Sequence, residues 1–128
     1  MNTKNISATK ILIVDDEPVN LYLLQEIMEV VGYENSTSVL SPVEAIGLYE
    51  KEDFDLVLLD LNMPEMSGYA VLDRFTEMAK TPRAKVVVLT GHNDEEIRNR
   101  VMRQGADGML SKPFSITDIV DCIKRIMA

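Results

Sequence analysis

Residues 55–68 read DLVLLDLNMPEMSG, Asp55 to Gly68, and the reading of this stretch decides the fold. Leu56 to Leu59 are four consecutive apolar residues, the pattern of a strand buried on both faces inside a parallel sheet. The run stops at a single carboxylate, Asp60, and Asn62, Pro64 and Gly68 follow as turn formers. Ligands of open α/β sheets bind beyond the carboxyl ends of the strands. Asp60 therefore stands where chemistry would be placed.

Outward from this stretch, apolar strands alternate with helical patterns. Lys10 to Val14 (KILIV) is a strand ending in Asp15-Asp16-Glu17, and Pro18 suits the first turn of a helix. Leu21, Leu24, Met28 and Val31 recur at helical spacing, and Gly32 marks the end. Tyr33 to Val39 reads as a weaker, polar strand at a sheet edge. Ser41-Pro42 supplies an N-cap and first helical residue for a short helix carrying Ala45, Ile46 and Tyr49. Beyond the Asp60 loop, a helix from about Gly68 to Lys80 turns Val71, Leu72 and Phe75 inward. Lys85 to Leu89 (KVVVL) is another buried strand, closing on Thr90-Gly91. Asn93 or Asp94 caps a helix through Arg103, ended by Gly105. Gly108 to Leu110 is a short strand entering Ser111-Lys112-Pro113. The last helix carries Ile116, Ile119, Val120, Ile123 and Ile126 on one side. Residues 1–9 read as a flexible lead-in.

The order is βαβαβαβαβα, which argues for a parallel sheet with helices on both faces. Right-handed crossovers bring every strand's C-terminal end to one edge. Asp15, Asp16, Asp60, Thr90 and Lys112 all sit at such ends, distant in sequence and convergent in space.

Composition narrows the function. The 128 residues suffice for one domain with a real core, and 46% hydrophobic with 27% charged residues is ordinary for a soluble protein. The single cysteine, Cys122, excludes an internal disulfide, fits a reducing cytoplasm and reads as a buried, inert thiol. No apolar run approaches the ~20 residues of a membrane span, and the polar first ten residues do not form a signal peptide. A net charge of −8 at pH 7 argues against this domain gripping nucleic acid. With His92 the only histidine, a multi-histidine zinc site or a histidine triad lacks ligands, and no glycine-rich nucleotide motif is present.

Three converging carboxylates repel one another, and a hard divalent cation relieves that repulsion. Mg²⁺, with Mn²⁺ as the alternative, takes carboxylate oxygens readily. Asp15, Asp16 and Asp60 would supply side-chain oxygens and Asn62 its backbone carbonyl. Each residue also has a plainer explanation. Asp15 or Asp16 alone would be a helix cap, Asp60 alone an Asx turn, Thr90 a turn hydroxyl, and Lys112 a solvated surface lysine. Joint placement on one edge favours chemistry. A carboxylate nucleophile at Asp60, a metal, a hydroxyl at Thr90 and a cation at Lys112 make a phosphoryl-transfer set, with Asp60 becoming an aspartyl phosphate.

From Lys10 to Met127 the chain resembles the receiver domain of two-component response regulators. The resemblance rests on ILIVDDEPVN, LVLLDLNMPEMSG, VVVLTG and LSKPF, in the family order and spacing. It implies a receiver over residues 10–128, folded as a flavodoxin-like (βα)5 three-layer sandwich with a parallel sheet of order 2-1-3-4-5. It also implies Asp60 as phosphoacceptor, Asp15 and Asp16 as the Mg²⁺ site, Thr90 and Lys112 as a phosphoryl-sensing pair, and a cis peptide before Pro113. Implied partners are a histidine kinase or phosphotransfer protein, and an output partner on the face of helix four, strand five and helix five. Self-catalysed phosphoryl uptake and slow loss would be its only chemistry. No effector segment follows Ala128 in this sequence, so a stand-alone receiver and a piece of a longer regulator or hybrid kinase both fit.

Two positions depart from the family pattern. Met109 replaces the Tyr or Phe usual three residues before the lysine, and Gly91, where Ala is common, should loosen the loop after strand four. A phosphatase-like enzyme is a competing class, opposed by Asn62 where a second Asp would act as general acid. An adaptor that binds partners without phosphorylation is another, kept open by Met109.

Overall fold

The computed structural model describes residues 6–92 and 94–128. Five parallel strands form one sheet in the order β2-β1-β3-β4-β5. The strands are β1 (Lys10–Val14), β2 (Asn35–Val39), β3 (Leu56–Asp60), β4 (Lys85–Thr90) and β5 (Gly108–Ser111). Between and after them run α1 (Pro18–Val30), α2 (Pro42–Lys51), α3 (Gly68–Glu77), α4 (Glu95–Arg103) and α5 (Ile116–Met127). This is the flavodoxin-like three-layer sandwich that the alternation and the resemblance imply.

The pleat explains why β1, β3 and β4 are apolar throughout. Leu12, Val14, Val57, Leu59, Val86 and Val88 face a core shared with α2, α3 and Val101 of α4. Their neighbours Ile11, Ile13, Leu56, Leu58, Val87 and Leu89 face the opposite core, closed by α1 and α5. A strand covered on both sides has no polar face to offer solvent. β2 pairs only with β1 and is polar and half-exposed, as an edge strand should be.

Element ends follow local chemistry. Ser41, Ser67, Asp94 and Ser115 cap α2, α3, α4 and α5 through side-chain oxygens, so Asp94 is the cap of α4, and Asn93 lies outside the described residues. Gly32 and Gly105 end α1 and α4 with φ of 103° and 109°, a region closed to most side chains. Several boundaries differ from the sequence reading. β2 begins at Asn35 because Tyr33 instead donates its N–H to Met28 as part of the α1 ending. α3 stops at Glu77, where Ala79 takes a positive φ of 51°. Ile116 is 55% exposed and lines a surface groove beside α1 instead of joining the core. Ile6–Ala8, within the stretch read as a lead-in, form a 3-10 turn, and the remainder of that lead-in, residues 1–5, lies outside the described residues. Cys122 is buried against the sheet, and burial pushes its thiol pKa up.

At the edge opposite Asp60, Arg83 clamps Asp107 through two bonds of 2.9 and 2.8 Å, and Asp107 also accepts the Val86 N–H at 2.8 Å. This fastens the entry of β4 to the entry of β5. Burial alone would raise the Asp107 carboxyl, but the Arg83 bonds and the Val86 N–H outweigh it and hold the group below the ordinary carboxylate range. A carboxyl held low in the folded state stabilises the fold above its unfolded pKa, and that contribution fades as pH falls through the folded value. Arg83→Ala is therefore expected to cost about 1–2 kcal/mol in urea unfolding at pH 7. The gap between parent and variant should begin to narrow in the same titration below about pH 4 and close only once Asp107 is protonated in the folded state.

Candidate functional site

β1 and β3 are neighbours at the centre of the sheet, and the chain leaves them toward opposite faces. Asp15 follows β1 and Asp60 ends β3, so the two carboxylates flank the point where the topology reverses. Asp15 is fully buried and Asp60 is 3% exposed, while Asp16 is half-exposed. One carboxylate oxygen from each of the three lies within 4.8 Å of the others.

Lys112 reaches into this group from the loop after β5. Its ammonium donates to Asp15 Oδ2 at 3.3 Å and to Asp60 Oδ1 at 3.2 Å. The surface-lysine explanation therefore fails. The direction of Lys112 is set by its backbone, because its N–H donates to the Thr90 carbonyl at 2.7 Å and extends the β4–β5 ladder. The Lys112-Pro113 peptide is cis, as the resemblance implies.

The plainer explanations for the other residues are partly realised. Asp15 Oδ1 accepts the Glu17 N–H at 2.9 Å, a tight turn into α1, while Asp15 Oδ2 faces Lys112. Asp60 Oδ1 accepts the Asn62 N–H at 3.4 Å, which brings residue 62 beside the carboxylate. Buried Thr90 accepts the His92 N–H at 3.1 Å on its hydroxyl oxygen, leaving the hydroxyl hydrogen to be donated elsewhere. His92 itself is exposed. One side chain can thus serve a turn and a site together.

The electrostatics are unbalanced. Three carboxylates face one ammonium, so the cluster carries a net charge near −2 when all are ionised. Burial is the main force raising the Asp60 carboxyl, the Asp15 charge adds to it, and Lys112 only partly offsets them. Burial alone would lower the Lys112 ammonium, but Asp15 and Asp60 outweigh it and hold the group up. The donor set is all oxygen, with a half-exposed third carboxylate that leaves room for water. A hard divalent cation such as Mg²⁺ fits it, and Asp15, Asp16 and Asp60 are the residues that would hold it.

Two features of the site were not legible as function. Gly68 packs so closely that a Cβ there would lie 2.6 Å from the Asp60 carbonyl oxygen and 2.7 Å from Leu61 Cα. Its N–H donates to the Leu61 carbonyl and closes the loop after β3 onto the strand end. The sequence marks Gly68 as a turn residue, but only the fold reveals the close approach. The other is a largely apolar groove of about 540 Å³ between α1 and the start of α5, with Leu23, Ile27 and Phe114 on its walls and Asp15 and Lys112 at one end. By contrast, a Cβ on Gly91 would meet nothing within 4 Å, so the site itself does not require glycine there.

A central pair of buried carboxylates at the reversal point of a five-stranded parallel sheet, bridged by a lysine that follows the last strand, defines the class as a doubly wound α/β domain with an acidic site at its switch point. The chain belongs to the response regulator receiver domain family, whose model matches residues 11–124. It is 31% identical over 120 residues to the chemotaxis protein CheY of Halobacterium salinarum, covering 94% of this chain and 98% of that protein. It is also 35% identical over 118 residues to the sensor histidine kinase RcsC of Salmonella typhi, covering 92% of this chain. The match spans only 12% of the length of that kinase. Among solved structures, a CheY-like receiver domain from Methanospirillum hungatei superposes with a TM-score of 0.81 at 30% identity, covering 93% of each chain. The chemotaxis protein CheY4 of Vibrio cholerae, at 24% identity and a TM-score of 0.85 over 92% of this chain and 98% of its own, shares the fold. The family is one of signalling receivers and not a class of metabolic enzymes.

Gly68→Ala should force the Asp60 loop off the strand end, because both opposing atoms are backbone and cannot step aside. The expected loss in urea unfolding is about 1–3 kcal/mol, the range of an overpacked core. Asp60→Asn should instead raise the thermal midpoint, since it removes a buried charge that Lys112 only partly compensates. Added Mg²⁺ should raise the midpoint of the parent more than that of the Asn variant in the same calorimetric scan.

Proposed function

We propose that Asp60 accepts a phosphoryl group from the phosphohistidine of a histidine kinase or phosphotransfer protein. One observation carries this reading: Lys112 bridges the two buried carboxylates at the reversal point of the sheet. The receiver unit would span residues 10–128, in a cytoplasmic protein. Among the described residues, no helix is long and apolar enough to cross a membrane.

An Asp60 carboxylate oxygen attacks phosphorus as the phosphorus–nitrogen bond breaks, and the donor imidazole leaves with the electron pair. The nucleophile lies at the bottom of a buried cluster, so the donor must approach over the sheet edge. Asp15, Asp16, Asp60 and the Asn62 carbonyl would hold Mg²⁺ or Mn²⁺. When bound, the metal neutralises the excess negative charge and the charge on the phosphoryl oxygens. Lys112 is already within bonding reach of Asp60, so its ammonium can pass from carboxylate to phosphoryl oxygen with a short motion. The Thr90 hydroxyl has its oxygen occupied by the His92 N–H and its hydrogen available for the same phosphoryl group.

Phosphate adds negative charge and acceptor oxygens to a site that already carries an excess of carboxylate. Thr90 and Lys112 then draw their loops inward. Because Thr90 ends β4 and Lys112 follows β5, the consequence would fall on the face formed by α4, β5 and α5, where an output partner would read it. The aspartyl phosphate is lost slowly by water attack at the same centre. No nucleic-acid or membrane binding is assigned to this domain.

Incubation with acetyl phosphate and Mg²⁺ should add the mass of one phosphoryl group to the intact parent chain. Asp60→Asn should add none while keeping its far-UV spectrum, and equal labelling of both would overturn the assignment. Lys112→Ala should still take up phosphate, but with smaller amide shift changes at α4 and β5 than in the parent. Identical shifts in variant and parent would remove Lys112 from the sensing role.

A further inference from the structure

α4 is attached to the domain unlike the other helices. α1, α2, α3 and α5 each bury three or four residues, whereas α4 buries only Val101, with Ile97 half-buried against the same core. Apolar burial is the main force that holds a helix to a sheet. A nine-residue helix with one buried side chain needs another attachment.

That attachment is polar and confined to the C-terminal end. The Gln104 side-chain amide donates to the Tyr69 carbonyl at 3.1 Å and to Asp73 Oδ1 at 2.7 Å, while its oxygen accepts from Arg100 Nε at 3.2 Å. The Arg100 guanidinium lies over the Tyr69 ring, 3.6 Å from its centre. The one Thr76 hydroxyl hydrogen is shared between the Leu72 carbonyl of its own helix and the Gln104 carbonyl, each at 3.0 Å. Tyr69, Asp73 and Thr76 all belong to α3, one face of which therefore grips the last turn of α4.

The other end is held lightly. The Asp94 side chain is spent on its own helix, capping the Ile97 N–H at 2.8 Å. Among the described residues, no side-chain hydrogen bond joins residues 94–99 to another element. This end follows directly from Thr90, through Gly91, where a Cβ would meet open space. The helix is thus pinned far from the site and loose beside it.

We infer that Tyr69, Asp73, Arg100 and Gln104 form a clasp that fixes the C-terminal turn of α4 to α3 and makes it the pivot about which the site-proximal end swings. The pivot is built into the unmodified fold and does not depend on phosphoryl transfer. It also has a defined anchor. Tyr69 follows Gly68, whose packing against Asp60 and Leu61 fixes the start of α3, so the clasp refers the position of α4 to the strand end that carries Asp60.

The test uses hydrogen exchange and methyl relaxation on the full unphosphorylated chain. Gln104→Ala and Arg100→Ala should each raise amide exchange across residues 97–104 by about tenfold, while peptides over β3 and β4 stay at parent rates. In the parent, the Ile97 methyls should show slow exchange broadening and the Val101 methyls should not. In Gln104→Ala both should broaden. Tyr69→Phe keeps the ring and the carbonyl and should behave as the parent, whereas Tyr69→Ala should follow the Arg100 variant. Unchanged α4 exchange in Gln104→Ala and Arg100→Ala would overturn the clasp. A rise shared equally by β3 and β4 would make these residues general stabilisers and overturn it too. A parent in which Val101 is as broadened as Ile97 would overturn the pivot.

Discussion

The domain depends on one unfavourable juxtaposition, the packing of the Asp15 and Asp60 carboxylates side by side at the centre of a sheet whose interior is otherwise apolar. Burial opposes ionisation of Asp60 and the neighbouring charge opposes it further. Lys112, bonded to both, is what makes the arrangement tolerable without a metal. An isolated buried charge would be strongly destabilising, and a pair of like charges more so. Everything around the site serves that bridge. The β4–β5 ladder runs on through Thr90 and the Lys112 N–H, and the bridging ammonium hangs from this last rung. The residual negative charge leaves three clustered carboxylates that could hold a divalent cation, an arrangement created by the fold and not by any one residue.

This interaction explains which parts of the sequence were readable. The strands were legible because burial on both faces leaves a run of apolar residues with no polar interruption, and KILIV, LVLL and KVVVL carry that mark directly. Strand ends were legible for the same reason: each run stops where a polar residue appears. Once the strands are parallel, Asp15, Asp60, Thr90 and Lys112 must share an edge, so the site followed from topology without knowledge of any contact. Less was legible at helix boundaries. The end of α3 and the start of β2 are set by backbone conformation at Ala79 and by the bond from Tyr33 to Met28. Ile116 has the spacing of a core residue but lies exposed on a surface groove, which periodicity cannot register. Gly68 is the clearest case of hidden necessity. A glycine in a turn-rich loop invites a conformational explanation, whereas its φ is ordinary and the true constraint is a backbone 2.6 Å from where its Cβ would be.

The α3–α4 contacts were illegible for a different reason. Gln104, Arg100, Tyr69 and Asp73 are polar or amphipathic residues on helix surfaces, and sequence reading assigns such residues to solvent. Their partnership is a tertiary fact. It matters because α4 has so little apolar burial that a few polar bonds decide where it sits. A helix held by a large apolar face has one deep position, while one held by an end has a continuum of shallow ones. Weak attachment near Thr90 and firm attachment at Gln104 are what a moving element requires.

Met109 bears on how such motion would be absorbed. It is 7% exposed, pairs in register with Val88, and shares its core cluster with Val101, the one buried residue of α4. An aromatic side chain there would have two packed states separated by a rotation of the whole ring. Methionine has three flexible torsions and no branch, so it fills a changing gap in small steps. With Met109 behind it and the pivot at its far end, α4 can shift its near end without a discrete side-chain flip on β5. On the proposed pivot, coupling from Thr90 to the α4–β5–α5 face would travel through the helix as a lever. Its range would be limited by the core that Val101 and Met109 share.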